Sequence, residues 1–229
     1  MKRILFLTIA LSFLFISQAG AQQFHAGILG GFNIADMRIT DDFGNPERTE
    51  SMNFGAIGTV FGYEINQQFT LELQPMYVQK GALLKHGTTN PNDPDLEFKS
   101  NFIDLPLLLK MHFGEETRPY VLAGPRLGFK LGSTAGGSVM GINFEADTDP
   151  VLKNVDIGLT LGAGISAPIR KFTGFIEGRY SWGFIDLNKG GTVEFQGGGL
   201  TQIDEVSEQA ELKNKGFELM LGVTIPFGH

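Results

Sequence analysis

Apolar and polar residues alternate along most of this chain with a period of two. The clearest run covers residues 101–132. Ile103, Leu105, Leu107, Leu109, Met111 and Phe113 share one face, and Asp104, Lys110 and His112 fall on the other. After a short break at 114–118 the pattern resumes. Val121, Ala123, Leu127, Phe129 and Leu131 oppose Tyr120, Arg126 and Lys130. Successive side chains of a strand point to opposite sides, so this is a β-hairpin with one apolar face and one small or charged face.

Six more segments carry the same signal: 24–35, 53–64, 69–81, 155–167, 173–187 and 216–227. In the second of these both faces are fairly apolar, and its phase stays open. The segments total eight strands. Their connections alternate in length. Those at 65–68, 114–118 and 168–172 are short, and those at 36–52, 82–100, 133–154 and 188–215 are long and polar. Short turns at one end and long loops at the other predict an all-β fold: an eight-stranded antiparallel up-and-down transmembrane β-barrel, with short periplasmic turns and long extracellular loops.

Alternation alone also fits a soluble periplasmic barrel of the lipocalin kind, whose apolar face points inward around a ligand. Three features favour lipid. The polar face is largely glycine and charge, as a narrow filled lumen requires. Its charges nearly balance, with Glu72, Asp104, Asp156, Glu177 and Glu218 against Lys80, Lys110, Arg126, Lys130 and Arg179. Buried charges need partners, so these ten are the expected lumen network. Aromatics mark the ends of the apolar face: Phe69, Tyr77, Phe113, Phe129, Trp182, Phe184, Phe217 and Phe227. Phe217 and Phe227 are ten positions apart, which on a tilted strand is roughly 25 Å, the height of the lipid band between two aromatic girdles. Against this reading, Pro75, Pro106, Pro125 and Pro226 fall inside strands, where each removes a ladder donor and calls for a bulge or a strand end.

The start of the chain changes the compartment. Lys2 and Arg3 precede an apolar stretch at 4–16, too short to span a bilayer, and Ala19 and Ala21 supply a small-residue cleavage site. Residues 1–21 read as a cleaved signal peptide and 22–229 as one domain. The net charge of −7 shows no basic block, which gives nucleic-acid binding no electrostatic support. The chain has no cysteine, so disulfides, thiolate metal sites and cysteine nucleophiles are excluded.

The stretches LELQPMYVQKG (71–81), FIDLPLLLKMHF (102–113) and RPYVLAGPRLGFKL (118–131) resemble the PorT-like outer-membrane β-barrel family of the Bacteroidetes. LGAG at 161–164 and the closing GFELMLGVTIPF fit as well, so the resemblance covers nearly all of the mature chain. It implies an eight-stranded outer-membrane barrel behind a signal peptide, and it accounts for Pro75, Pro106 and Pro125. It also implies a second role, since some members serve type IX protein secretion. No catalytic residue is carried over. The chain departs from the usual outer-membrane ending, because Phe227 is followed by Gly228 and His229.

Candidate chemistry is sparse. His25, His86, His112 and His229 have no metal-ligand spacing, and His112 reads as a lumen or rim residue. An outer-membrane hydrolase would place its site near His86, Asp93 and Asp95, but no serine sits in a nucleophile elbow. Asp93, Asp95 and Glu97, like Asp147 and Asp149, lack the spacing of a calcium loop and read as solvated acids. The glycines at 136–137 and 197–199 precede no helix and cradle no phosphate. Eight strands enclose a space that side chains just fill, so a wide pore is not expected. The reading is a non-enzymatic, monomeric barrel without a cofactor, in contact with lipid and meeting a protein partner through its long loops.

Overall fold

The computed structural model describes residues 24–41, 43–85, 95–114, 117–139, 142–197 and 199–227. They form antiparallel strands β1 (Phe24–Ile39), β2 (Thr49–Glu64), β3 (Phe69–Leu73), β4 (Met76–Leu84), β5 (Leu96–His112), β6 (Arg118–Val139), β7 (Ile142–Asp147), β8 (Val155–Ile169), β9 (Phe172–Gly183), β10 (Gly191–Gly197), β11 (Leu200–Val206) and β12 (Leu212–Phe227), with one 3-10 turn at Asp149–Val151. The sheet has twelve strands, not the eight expected. Two causes account for the difference. The third expected strand breaks at Gln74-Pro75 into β3 and β4. In addition, β7, β10 and β11 form inside the segments 133–154 and 188–215, which the polar composition marks as loops. Gly136 and Gly137 lie within the β6–β7 ladder, opposite Glu145 and Phe144. The alternation of Ile142, Phe144 and Ala146 in β7 and of Val193 and Phe195 in β10 is too short to stand out from the polar, glycine-rich stretches around it, and β11, reading LTQIDEV, has no period of two.

With β3 and β4 sharing one position, the pairings close on themselves as an eight-position ring. β12 returns to β1 in register from Phe24↔Phe227 to Ile39↔Leu212. The other neighbours are β1–β2, β2–β3/β4, β3/β4–β5, β5–β6, β6–β8, β8–β9 and β9–β12. The prolines fit by keeping their carbonyls in use. Thr59 N donates to Pro75 O at 2.9 Å and Gln74 N to Pro106 O at 3.1 Å. Pro226 lies near the end of β12 opposite His25, while Pro106 and Pro125 sit inside ladders opposite Arg126 and Leu159.

The apolar face points out. Ile57, Ile28 and Leu221 are 65%, 63% and 59% exposed, and they belong to a belt that runs around the ring. A water-soluble monomer does not carry a continuous apolar surface of this extent. This overturns the lipocalin-like alternative, whose apolar face would line a pocket. The phase of β2 is settled the same way, with Ala56 and Val60 buried and Ile57 and Phe61 exposed.

The inside is more apolar than glycine and charge alone. Val60, Val78, Phe102, Leu108 and Met220 are buried there. At the end away from the short turns, Val151, Leu152 and Leu187 join Met37, Phe102 and Leu212 in one apolar cluster. Backbone bonds hold this cover in place: Lys153 N to Leu187 O (2.7 Å), Leu187 N to Leu212 O (2.7 Å) and Lys189 N to Val151 O (3.0 Å). Each large aliphatic side chain buried in the cover contributes about 1.5–3 kcal/mol.

Candidate functional site

The inward positions of seven strands converge on the ring's axis. Glu72 comes from β3, Lys80 from β4, Asp104 and Lys110 from β5, Arg126 and Lys130 from β6, Asp156 from β8, Glu177 and Arg179 from β9 and Glu218 from β12. Nine of them are buried as whole residues, and the side chain of Lys130 is 3% exposed. They divide into three groups.

In the first group, two cations and two carboxylates alternate. Lys80 Nζ lies 2.9 Å from Asp104 and 3.1 Å from Asp156, while Arg126 Nη1 lies 2.9 Å from Asp104 and 3.0 Å from Asp156. Asn214 Nδ2 donates to Asp156 at 3.0 Å, and Lys80 Nζ stands 4.3 Å above the Phe102 ring. The second group lies toward the short turns. Lys110 Nζ bridges Glu72 at 2.8 Å and Glu177 at 2.9 Å. Arg179 pairs with Glu177 at 3.3 Å and with Glu218. His25 Nε2 is 3.2 Å from Glu72, and Tyr120 donates its hydroxyl to Glu177 at 2.8 Å. Gln74 ties the group together, donating to Glu72 at 2.8 Å and accepting from Arg179 Nη1 at 2.6 Å.

Lys130 stands apart from both groups. It reaches the cover, where it pairs with Asp149 at 3.1 Å and donates to the carbonyls of Asp149 and Leu152. Sequence pattern alone puts it with the lumen set, because alternation gives a residue's side of the wall and not its height along the axis. Gln74, His25 and Tyr120 carry an inward-phase signal but are not among the ten. Asn214 lies in a segment expected to be loop, so nothing in the pattern marks it.

On the outside, Tyr77, Phe113, Phe129, Trp182, Phe184, Phe217 and Phe227 are exposed, and Phe69 is half-buried. Phe24 adds to the turn end, stacked on Phe227 at 6.2 Å and beside Tyr63 at 5.2 Å. Inside that same end a cavity of about 240 Å³ opens between Glu64, Thr70, His112, Arg118 and Thr224. His112 is buried there against the Tyr120 ring, at 5.1 Å between centroids.

Of the acids weighed as calcium ligands, the four among the described residues have partners. Asp95 pairs with Lys85 at 2.6 Å, and this bond raises the Lys85 pKa above its ordinary value. Glu97 pairs with Lys99, and Asp147 accepts from the backbone N of Asp149 at 2.8 Å. At Asp149 burial opposes ionisation, but bonds from Lys130 and Ser133 outweigh it and hold the carboxyl below the usual carboxylate range. Among the described residues no three histidine or acid side chains gather into a metal cage. His86, Asp93, His229 and the segment 1–21 lie outside the described residues.

The ring has counterparts among solved structures. A major outer membrane protein from Thermus thermophilus superposes with a TM-score of 0.55 at 12% identity, over 90% of this chain and 100% of that one. OprG from Pseudomonas aeruginosa gives 0.50 at 15% identity, over 92% and 99%. No curated protein sequence matches the chain. The family described as "Outer membrane protein beta-barrel domain" matches residues 17–189, most of the sequence. With its apolar belt turned to lipid and its charges turned in, the chain belongs to the outer membrane protein beta-barrel domain family, and its place is the bacterial outer membrane.

Proposed function

We propose that this chain is a non-enzymatic, monomeric outer-membrane β-barrel that acts by contact at its far end and not by passage through its middle. The observation that supports this most directly is the filled axis, with two groups of paired charges beneath an apolar cover. A solute moving through would have to part buried ion pairs, each expensive to separate in a medium of low dielectric constant. The charged residues are then structural, since they fill the interior and fix the strands' register. The short turns face the periplasm, the far end faces the outside, and residues 1–21 leave on export.

The test is electrical. The refolded protein in a planar bilayer should give no sustained conductance steps, and stable steps of porin size would sink the reading. A narrower role rests on the sequence resemblance in 71–81 and 102–131, namely an accessory of type IX secretion in the PorT-like manner. Deletion of the gene should then stop export of that system's cargo, and normal export would remove this second reading.

A further inference from the structure

The hairpin β10–β11 stands at one margin of the sheet. β10 pairs with β7 over only three positions, Phe195↔Ala146 to Gly197↔Phe144. Among the described residues β11 pairs with β10 alone, so its other side is an open edge. The register shows which groups are free. Two residues separate Gly197 from Leu200, and Gly199 has φ 80. In a hairpin with a two-residue turn the flanking pair exchanges hydrogen bonds, and bonded pairs then recur at every second position. Gly197↔Leu200, Phe195↔Gln202 and Val193↔Asp204 are therefore the bonded pairs. The N–H and C=O of Thr201, Ile203 and Glu205 point to the open side.

Natural sheets usually protect such an edge with lysine, proline or a bulge. β11 reads LTQIDEV and has no lysine, proline or bulge in its ladder; its only charges are the acids Asp204 and Glu205, which repel another acidic strand and not a basic one. Residues 201–205 are all exposed, with Ile203 at 63%. The charge around it has one sign. Between Lys189 and Lys213 lie Glu194, Asp204, Glu205, Glu208 and Glu211, with no lysine or arginine. Glu211 is neutralised by Lys213 at 2.8 Å, and among the described residues the other four make no salt bridge.

The geometry points to β11 as a docking edge for an extended polypeptide segment rich in lysine or arginine, added as a further antiparallel or parallel strand. Backbone bonds to Thr201, Ile203 and Glu205 supply the pairing, and Asp204 and Glu205 select the charge. A second copy of this chain is disfavoured as occupant, because it would set acid against acid. The inference deepens the contact reading above and rests on it by naming the surface and the partner's chemistry.

The test uses the full mature chain refolded in vesicles, with a fluorescent peptide alternating lysine and valine as the probe. Two control peptides alternate glutamate and valine, or carry prolines in place of the central valines of the lysine peptide. Anisotropy should show the lysine–valine peptide binding at least about tenfold more tightly than either control. Ile203→Pro removes an outward donor without touching a β10–β11 bond, and should weaken binding by a similar factor. The charge reversal Asp204→Lys with Glu205→Lys should turn the preference to the glutamate peptide, even where the proline variant folds poorly. Equal binding of the proline peptide, or an unchanged preference after charge reversal, overturns the proposal. So does a wild-type dimer in sedimentation. Conductance of the same vesicles reports separately on the closed-barrel reading, so the two can fail independently.

Discussion

Lys110 offers the sharpest test of the interior. Its side chain is 2% exposed, lies between Glu72 and Glu177, and sits 4.6 Å and 4.8 Å from the Tyr120 and Phe175 ring centroids. Lys110→Met keeps most of the volume and removes the charge. Its group then holds three carboxylates against Arg179 alone. Breaking a buried pair by removing one partner costs about 3–5 kcal/mol, because the remaining charge stays buried without compensation. At a urea dependence of about 2 kcal/mol per molar, the unfolding midpoint should fall by about 1.5–2.5 M. Trp182, the only tryptophan, faces outward at 39% exposure and reports the transition by its fluorescence in vesicles. The second arm is Lys110→Met with Glu72→Gln. It restores the group's charge balance and leaves Glu177 with Arg179 and the Tyr120 hydroxyl. The double variant should recover more than half of the loss. A single-variant cost below about 1 kcal/mol, or strictly additive effects in the cycle, would refute the claim that these charges depend on one another.

Three further outcomes are expected. At Gly31 an added Cβ would lie 2.0 Å from the backbone oxygen of Leu219, whereas at Gly55 nothing stands within 4 Å. Gly31→Val should abolish heat-modifiable gel migration and Gly55→Ala should leave it intact. Leu221 lies on β12 between Phe217 and Phe227 and is 59% exposed. Leu221→Arg should cost about 2–4 kcal/mol in vesicles by the same urea assay, as a cation placed in the lipid band does. Asp149 has its carboxyl depressed from 3.8 by its bonds to Lys130 and Ser133, against the pull of burial. Its contribution is therefore complete above the ordinary carboxylate value and is lost as pH falls through the lower folded value. Amide exchange in residues 149–152 should accelerate only in that acid range, while Asp149→Asn exchanges fast at neutral pH too.

The wall of the ring is legible in the sequence because two requirements act on every second residue. Ile103, Leu105 and Leu107 have to suit lipid, while Asp104 and Lys110 have to suit a crowded interior, and such a conflict writes a period of two. The same signal carries the inward phase of Glu72, Lys80, Asp156, Glu177, Arg179 and Glu218. Height along the axis leaves no such mark. Thus Lys130 reads as a companion of Arg126, although it serves the cover through Asp149 and Leu152. The strands β7, β10 and β11 are hidden for a related reason. Beyond the lipid band the strands are short, and the alternation of Val193 and Phe195 with Thr192, Glu194 and Gln196 runs for too few residues to stand out from the polar, glycine-rich stretch around it. The break at Gln74-Pro75 is half legible. The proline announces it, but the burial of Gln74 between Glu72 and Arg179 depends on strands far apart in sequence.

The alternation also bears on how such a chain reaches its destination. A protein bound for the outer membrane must first cross the inner one without lodging there. No stretch between Gln22 and Phe227 offers the ~20 consecutive apolar residues that would be retained as a spanning helix, because Asp104, Lys110, Asp156, Glu177, Arg179 and Glu218 interrupt the strands that most need to be greasy. Stretched out, the polypeptide passes as a water-compatible thread. Only when the ring closes do the interrupting charges retire to the axis and the remaining side chains merge into a lipid-facing band. The greasiness of this protein is therefore a property of its folded form alone, and the pairs that fill its interior are also what lets it travel.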